Sequence, residues 1–232
     1  MATLTVYPDP DPESTSVDGY SGQDAALTWA AAHDAASGNA TSDGSSNMSL
    51  SIFGGAGSVS IYRLFTLFDT SALTAAATIT AAELSLYVSS KTNEDNDGLD
   101  YINIYTTTPA SNTAIVNADY DQIGTTAQAT AIDIGSISTS AYNTFTLNAT
   151  GLSNISKTAV TKFGVREGHD VENTEIGLAL TNDVTVAAAE TANTTSDPKL
   201  VITYSVVSPS ASLSPSASAS ASLSPSASLS PS

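Results

Sequence analysis

Residues 62–88 read YRLFTLFDTSALTAAATITAAELSLYV, and the parity of this stretch decides the fold. Tyr62, Leu64, Thr66 and Phe68 fall on one parity, while Arg63, Phe65 and Leu67 fall on the other. A run that is apolar on both parities predicts a strand covered on both faces, such as a central strand of a sandwich. Asp69, Thr70 and Ser71 then offer side-chain oxygens to nearby backbone N–H groups, which ends the strand in a turn. Further on, Leu84, Leu86 and Val88 share one face, and Glu83, Ser85 and Tyr87 share the other. That alternation predicts a half-buried strand. Arg63 interrupts an otherwise apolar strand. An ion pair with Asp69, buried across the strand end, is the expected partner, and both residues are read as structural.

Working outward, residues 3–7 predict a first strand, closed by Pro8, Pro10 and Pro12, which lack the N–H a ladder needs. Residues 17–20 (VDGY) read as a turn. Residues 24–36 are Ala-rich, but in an all-β setting a strand or irregular piece around Leu27, Thr28 and Trp29 is expected. Met48, Leu50 and Ile52 alternate with serines as a strand, and the glycines at 54, 55 and 57 make a hairpin turn. Residues 89–100 read as a polar loop, and residues 113–123 as one or two helical turns. Strands are expected over 101–105, 131–134, 142–147, 161–166, 175–180 and 200–204, with a short helix over 151–157. About nine or ten strands separated by turn signals describe an all-β, antiparallel β-sandwich of the jelly-roll type. The domain is placed at residues 1–207. Residues 208–232 (SPSASLSPSASASASLSPSASLSPS) form a low-complexity tail, expected to be disordered or extended because it has almost no apolar surface to bury.

Composition excludes several functions. Lys and Arg total six, and the formal net charge is −17. The chain therefore lacks the basic face that phosphate-backbone or anionic-membrane binding needs. It has no cysteine, so neither a disulfide framework nor a thiolate zinc site is open to it. No apolar run approaches the ~20 residues of a membrane span. The N-terminal residues have neither the basic nor the apolar region of a secretory signal. No catalytic residues are assigned: no G-x-S-x-G elbow is present, and His33 and His169 are read as structural.

Two binding readings arise from side-chain chemistry. Asn93, Asp95 and Asp97, followed by Gly98, place oxygen ligands at alternate positions, like the start of a calcium loop. The same residues also suit a solvated turn, so calcium is the only cofactor the sequence suggests. Trp29, Tyr20, Tyr101, Tyr105 and Tyr142 are candidates for a platform on which sugars stack; packing in the core is the alternative.

Three motifs add a resemblance. Residues 63–73 (RLFTLFDTSAL), 78–87 (TITAAELSLY) and 197–204 (DPKLVITY) resemble the spaced strands of DNRLRE-type domains and related carbohydrate-binding-module-like jelly rolls. Residues 17–20, 28–29, 118–122 and 141–145 are similar to virion-associated proteins of uncultured tailed phages that end in Ser/Pro/Ala repeats. The string that gives the DNRLRE family its name is absent, and Arg63 stands where such strands carry their arginine. The resemblance implies a non-catalytic module at a virion surface or outside the cell, with surface glycans or other virion or filament subunits as partners, copies of itself included. The alternatives are a bacterial secreted or wall-associated binding module on a Ser/Pro stalk and a structural subunit of an extracellular filament.

Overall fold

The structure, a computed structural model, describes residues 1–206. The tail expected over 208–232 lies outside the described residues. Within them the chain forms strands β1 (Ala2–Val6), β2 (Asp18–Ala26), β3 (Ala40–Ser42), β4 (Asn47–Gly54), β5 (Val59–Asp69), β6 (Ala77–Asn93), β7 (Tyr101–Thr107), β8 (Ile123–Ala127), β9 (Ile132–Asp133), β10 (Ala141–Thr146), β11 (Val160–Glu167), β12 (Leu180–Ala187) and β13 (Lys199–Val206). Three short helices are α1 (Trp29–His33), α2 (Ala149–Asn154) and α3 (Gly168–Glu172). All strand pairs are antiparallel. The chain is an all-β sandwich.

Registers show how the ladder is laid out. Leu84 of β6 pairs with Leu200 and with Phe145, and Val88 pairs with Val186 and with Ala141. Thus β10 occupies one edge of β6, while β12 and β13 follow one another along the other. Then β4 pairs β12, and β1 pairs β13. In the facing layer, Tyr62 of β5 lies between Ser51 and Gly22, and Leu64 between Tyr20 and Val165. There β2 borders one edge of β5, and β4 and β11 share the other, with β7 beyond β11. The β4–β5 hairpin belongs to both layers and joins them. β6 spans 17 residues, about 50 Å of strand at ~3.3 Å per residue if unbent. Its first residue, Ala77, pairs with Val206 at the end of β13, and its last, Asn93, pairs with Asn182.

Between the layers, Leu64 and Phe68 of β5 meet Leu84, Leu86 and Val88 of β6, Ile104, Phe145, Val165, Val186 and Leu200. The opposite face of β5 is covered as well. Phe65 and Leu67 pack with Val17, Tyr105, Ile115 and Ile123. Val59 and Ile61 pack with Trp29, Ala32 and Tyr120. The two-sided burial expected from the parity of residues 62–68 is therefore present, and each fully buried Leu or Phe contributes on the order of 1.5–3 kcal/mol.

Several local expectations are corrected. Residues 17–20 do not turn: β2 begins at Asp18, and Gly19 serves packing, since a Cβ there would stand 2.6 Å from the Ser42 carbonyl oxygen. The Ala-rich stretch is helical after Trp29 because the Thr28 hydroxyl accepts from the Ala31 N–H and caps it. β6 runs on to Asn93, into the stretch expected to be loop. Residues 175–180 are not a strand. Ala179 has a φ of 61°, Ile176 is drawn into the core, and Leu178 is left 71% exposed, so β12 starts only at Leu180. The helical turns expected over 113–123 shrink to a 3-10 segment, Asn117–Gln122. Among the described residues the strand total rises to thirteen, because β2 reads locally as a turn and short pieces such as β3 and β8 carry little hydrophobic period.

Candidate functional site

The site lies beyond the Asn93 end of β6, where the 94–100 loop meets the turn from β11 into α3. Glu167 closes β11 and caps α3: its Oε2 accepts from the His169 N–H at 2.6 Å. Its Oε1 accepts from His169 Nδ1 at 2.9 Å and from Asn182 Nδ2 at 3.0 Å. The backbone N–H and the Asn182 amide both donate to Glu167, and when Glu167 is ionised the His169 proton on that side sits on Nδ1. Gly168 is required here, because a Cβ would stand 2.1 Å from the Leu99 carbonyl oxygen and 2.6 Å from the Tyr101 ring. The closeness brings the loop onto the helix.

His169 is fully buried, and its Nε2 points at two carboxylates: Asp95 Oδ2 at 3.3 Å and Asp97 Oδ1 at 3.4 Å. Neither contact is a hydrogen bond, and Nε2 is left without a partner. Each facing oxygen accepts one backbone N–H, Gly177 at Asp95 Oδ2 and Leu99 at Asp97 Oδ1, both at 2.9 Å. Asp97 is half-exposed, so the cluster opens to solvent on that side. Burial would lower the His169 pKa, but the hydrogen bond to Glu167 and the charges of Glu167, Asp97 and Asp95 raise it above the ordinary histidine value. Burial raises that of Glu167 despite its hydrogen bonds.

The expected calcium set is thus only partly assembled. Asp95 and Asp97 converge, whereas the Asn93 Nδ2 donates to Asp100 Oδ2 at 2.9 Å and fastens the base of the loop. The sequence reading takes His169 as structural and does not single out Glu167. The available signal was Glu-Gly-His-Asp directly after a strand: a capping acid, a residue that permits close approach, and two polar groups on the first turn.

α3 is held from below by its next residue. Asp170 Oδ1 accepts from Arg63 Nη2 at 2.7 Å, and Oδ2 from Arg63 Nε at 2.9 Å and Arg166 Nε at 2.6 Å. Arg63 also donates to the carbonyls of Tyr120 and His33 and lies 4.0 Å above the Tyr120 ring. Burial opposes ionisation of Asp170, yet the Arg63 charge and the hydrogen bonds from Arg166 and Arg63 hold its carboxyl well below the usual range. The expected Arg63–Asp69 pair does not form. Asp69 is six positions along the same strand, about 20 Å away, and its Oδ1 instead accepts from the Ser71 N–H at 3.0 Å.

The five candidate aromatics do not make one platform. Trp29 is 7% exposed, stacks on His33 and donates to Asn173 Oδ1 at 2.9 Å. Tyr105 is 2% exposed in the core. Tyr20 packs on Tyr62, and Tyr142 sits on β10 against Tyr87 and under the Lys199 ammonium. Tyr101 alone stands beside the Asp95–Asp97–His169 cluster, half-buried, its hydroxyl 3.3 Å from Glu172 Oε1.

A second acidic group lies elsewhere, between β2 and the 188–198 excursion. Asp18 is fully buried and accepts only from the Ala189 N–H, at 3.1 and 3.4 Å. Both Glu190 carboxylate oxygens, Asp197 Oδ1 and Glu13 Oε1 are buried without a partner. Burial first, then the neighbouring Glu190 and Asp197 charges, push Asp18 well above the usual range, and burial lifts Asp197 to about 6. No helix among the described residues is long and apolar enough to cross a membrane. No protein-family model matches the chain, and no curated protein matches it.

Proposed function

We propose that the chain is a non-catalytic display module, an accessory protein on a virion or other extracellular surface, that meets surface glycans or neighbouring subunits through the loops beyond Asn93. The observation that carries this reading is the opposition of two ends along β6. Val206, which leads into the Ser/Pro/Ala repeat, pairs at Ala77, while the 94–100 loop and α3 cluster past Asn93. A module carried on a stalk presents its partner-facing loops away from the stalk, and this arrangement fits that need. The likeness of residues 63–73, 78–87 and 197–204 to carbohydrate-binding-module-like jelly rolls supports the same reading, as does the net charge of −17, which favours a dispersed, repelling surface. At that end Tyr101 and the exposed Leu178 offer apolar surface beside acidic side chains, the mixture with which proteins grip sugar rings and hydroxyls.

A glycan array probed with the full chain and with Tyr101→Ala tests the reading. Binding that falls at least tenfold in the variant is expected. Undiminished binding would move the contact away from this end, and no binding by either protein would leave subunit contacts as the module's role. Imaging of particles or filaments that carry the chain then places the Asn93 end either outward or against a neighbour.

A further inference from the structure

The geometry points to a divalent first-row transition-metal site, of the kind that takes Zn²⁺, formed by His169 Nε2, Asp95 Oδ2 and Asp97 Oδ1. Three observations carry it. First, the buried His169 Nε2 has no hydrogen-bond partner, which is costly unless something else engages it. Second, the spacing is that of ligands around one ion. Zinc holds nitrogen and oxygen ligands at about 2.0–2.2 Å in a tetrahedron, which sets neighbouring ligand atoms roughly 3.3–3.5 Å apart. The separations from Nε2 are 3.3 and 3.4 Å, and all three atoms lie within 4.8 Å of one another. Third, the groups behind the ligands are those metal sites use. Glu167 accepts from His169 Nδ1 and so fixes the tautomer that leaves Nε2 free to coordinate, and each aspartate oxygen is oriented by a backbone N–H.

The donor set also selects the ion. Calcium takes six to eight oxygens, whereas this cluster converges one nitrogen and two carboxylates, which suits zinc and its neighbours. Three protein ligands leave at least one coordination position, on the side where Asp97 is exposed, for water or for a hydroxyl or carboxylate of a partner. The inference stands independently of the glycan reading, because metal binding is measured without a partner.

Full-length chain stripped with a chelator is titrated with Zn²⁺ by calorimetry, beside Asp97→Asn and His169→Gln. The wild type is expected to bind one Zn²⁺ at this site, and each variant to bind at least tenfold more weakly. Asp97 is half-exposed, so Asp97→Asn retains the fold even if His169→Gln does not. Nitrogen NMR of the His169 ring provides a separate readout: Nδ1 stays protonated throughout, and the Nε2 resonance moves on addition of one equivalent of zinc. Equal zinc affinity in wild type and Asp97→Asn, or an Nε2 resonance that ignores zinc, would overturn the assignment.

Discussion

Asp170 and Asp18 are both removed from water, and the protein treats them in opposite ways. Asp170 receives three charge-assisted hydrogen bonds from Arg63 and Arg166 and stays ionised. Asp18 has one backbone N–H and two acidic neighbours, Glu190 and Asp197, and is driven toward its neutral form. With only six basic residues in the chain, two of them converge on one carboxylate. The knot they form joins β5, β11, α1 and α3 and sets His169 on the far side of α3. The uncompensated group ties β2 to the segment after β12 through one backbone N–H only, and it makes the fold sensitive to pH. Buried charge is therefore concentrated where it positions a site and left unmatched where it does not.

Breaking the knot has the largest expected effect. Arg63→Ala leaves the buried Asp170 with Arg166 as its one cationic partner and should cost about 3–5 kcal/mol in urea unfolding; a loss under about 1 kcal/mol would make the knot incidental. Next comes the pH profile. A carboxyl whose folded pKa is raised contributes stability that is complete below its unfolded pKa, near 4, and lost as pH climbs through the folded value. For Asp197 that window runs from about 4 to about 6, and Asp18 extends it upward. His169, also raised, adds a contribution that is complete below about 6.5 and lost as pH rises through its folded value. Asp170 acts in the other sense, and its contribution is lost only as pH falls below about 4. In chelator-containing buffer the chain should thus be more stable at pH 5 than at pH 8, by about 1–2 kcal/mol. A profile that rises toward pH 8 would show that the Asp18 group is compensated.

Asp18→Asn sharpens the contrast. It keeps the shape and the acceptor for Ala189, and should stabilise the chain by about 1 kcal/mol at pH 8 while changing little at pH 5. The smallest effect is expected at Asp69, which only caps its own turn: Asp69→Ala should cost no more than ~1 kcal/mol. Equal losses for Asp69→Ala and Arg63→Ala, measured in the same urea titrations, would erase the distinction between the two residues.

The strands with clear period were readable from the sequence: β4, β5, β6, β7, β10, β11 and β13 announce themselves by alternation or by two-sided apolar runs. What escaped was decided by contacts distant in the chain. β2 was hidden because Gly19 looks like a turn residue until Ser42 is known to lie against it. The start of β12 depended on where Ile176 is buried. The sequence points to Asp69 as the partner of Arg63, but the partner in the fold is Asp170, 107 residues away, and nothing local marks it. Of the three residues that meet in the cluster, Asp95 and Asp97 are marked in the sequence by their spacing. His169 is not, since only the fold brings the 94–100 loop against α3.

The central claim is that Arg63 and Asp170 act as one unit that secures α3 to the sheet. A double-mutant cycle on Arg63→Met and Asp170→Asn, read by urea unfolding at pH 7, tests it most directly. The account predicts that the double variant is less destabilised than the sum of the singles by at least about 2 kcal/mol. Additivity within about 0.5 kcal/mol would contradict it.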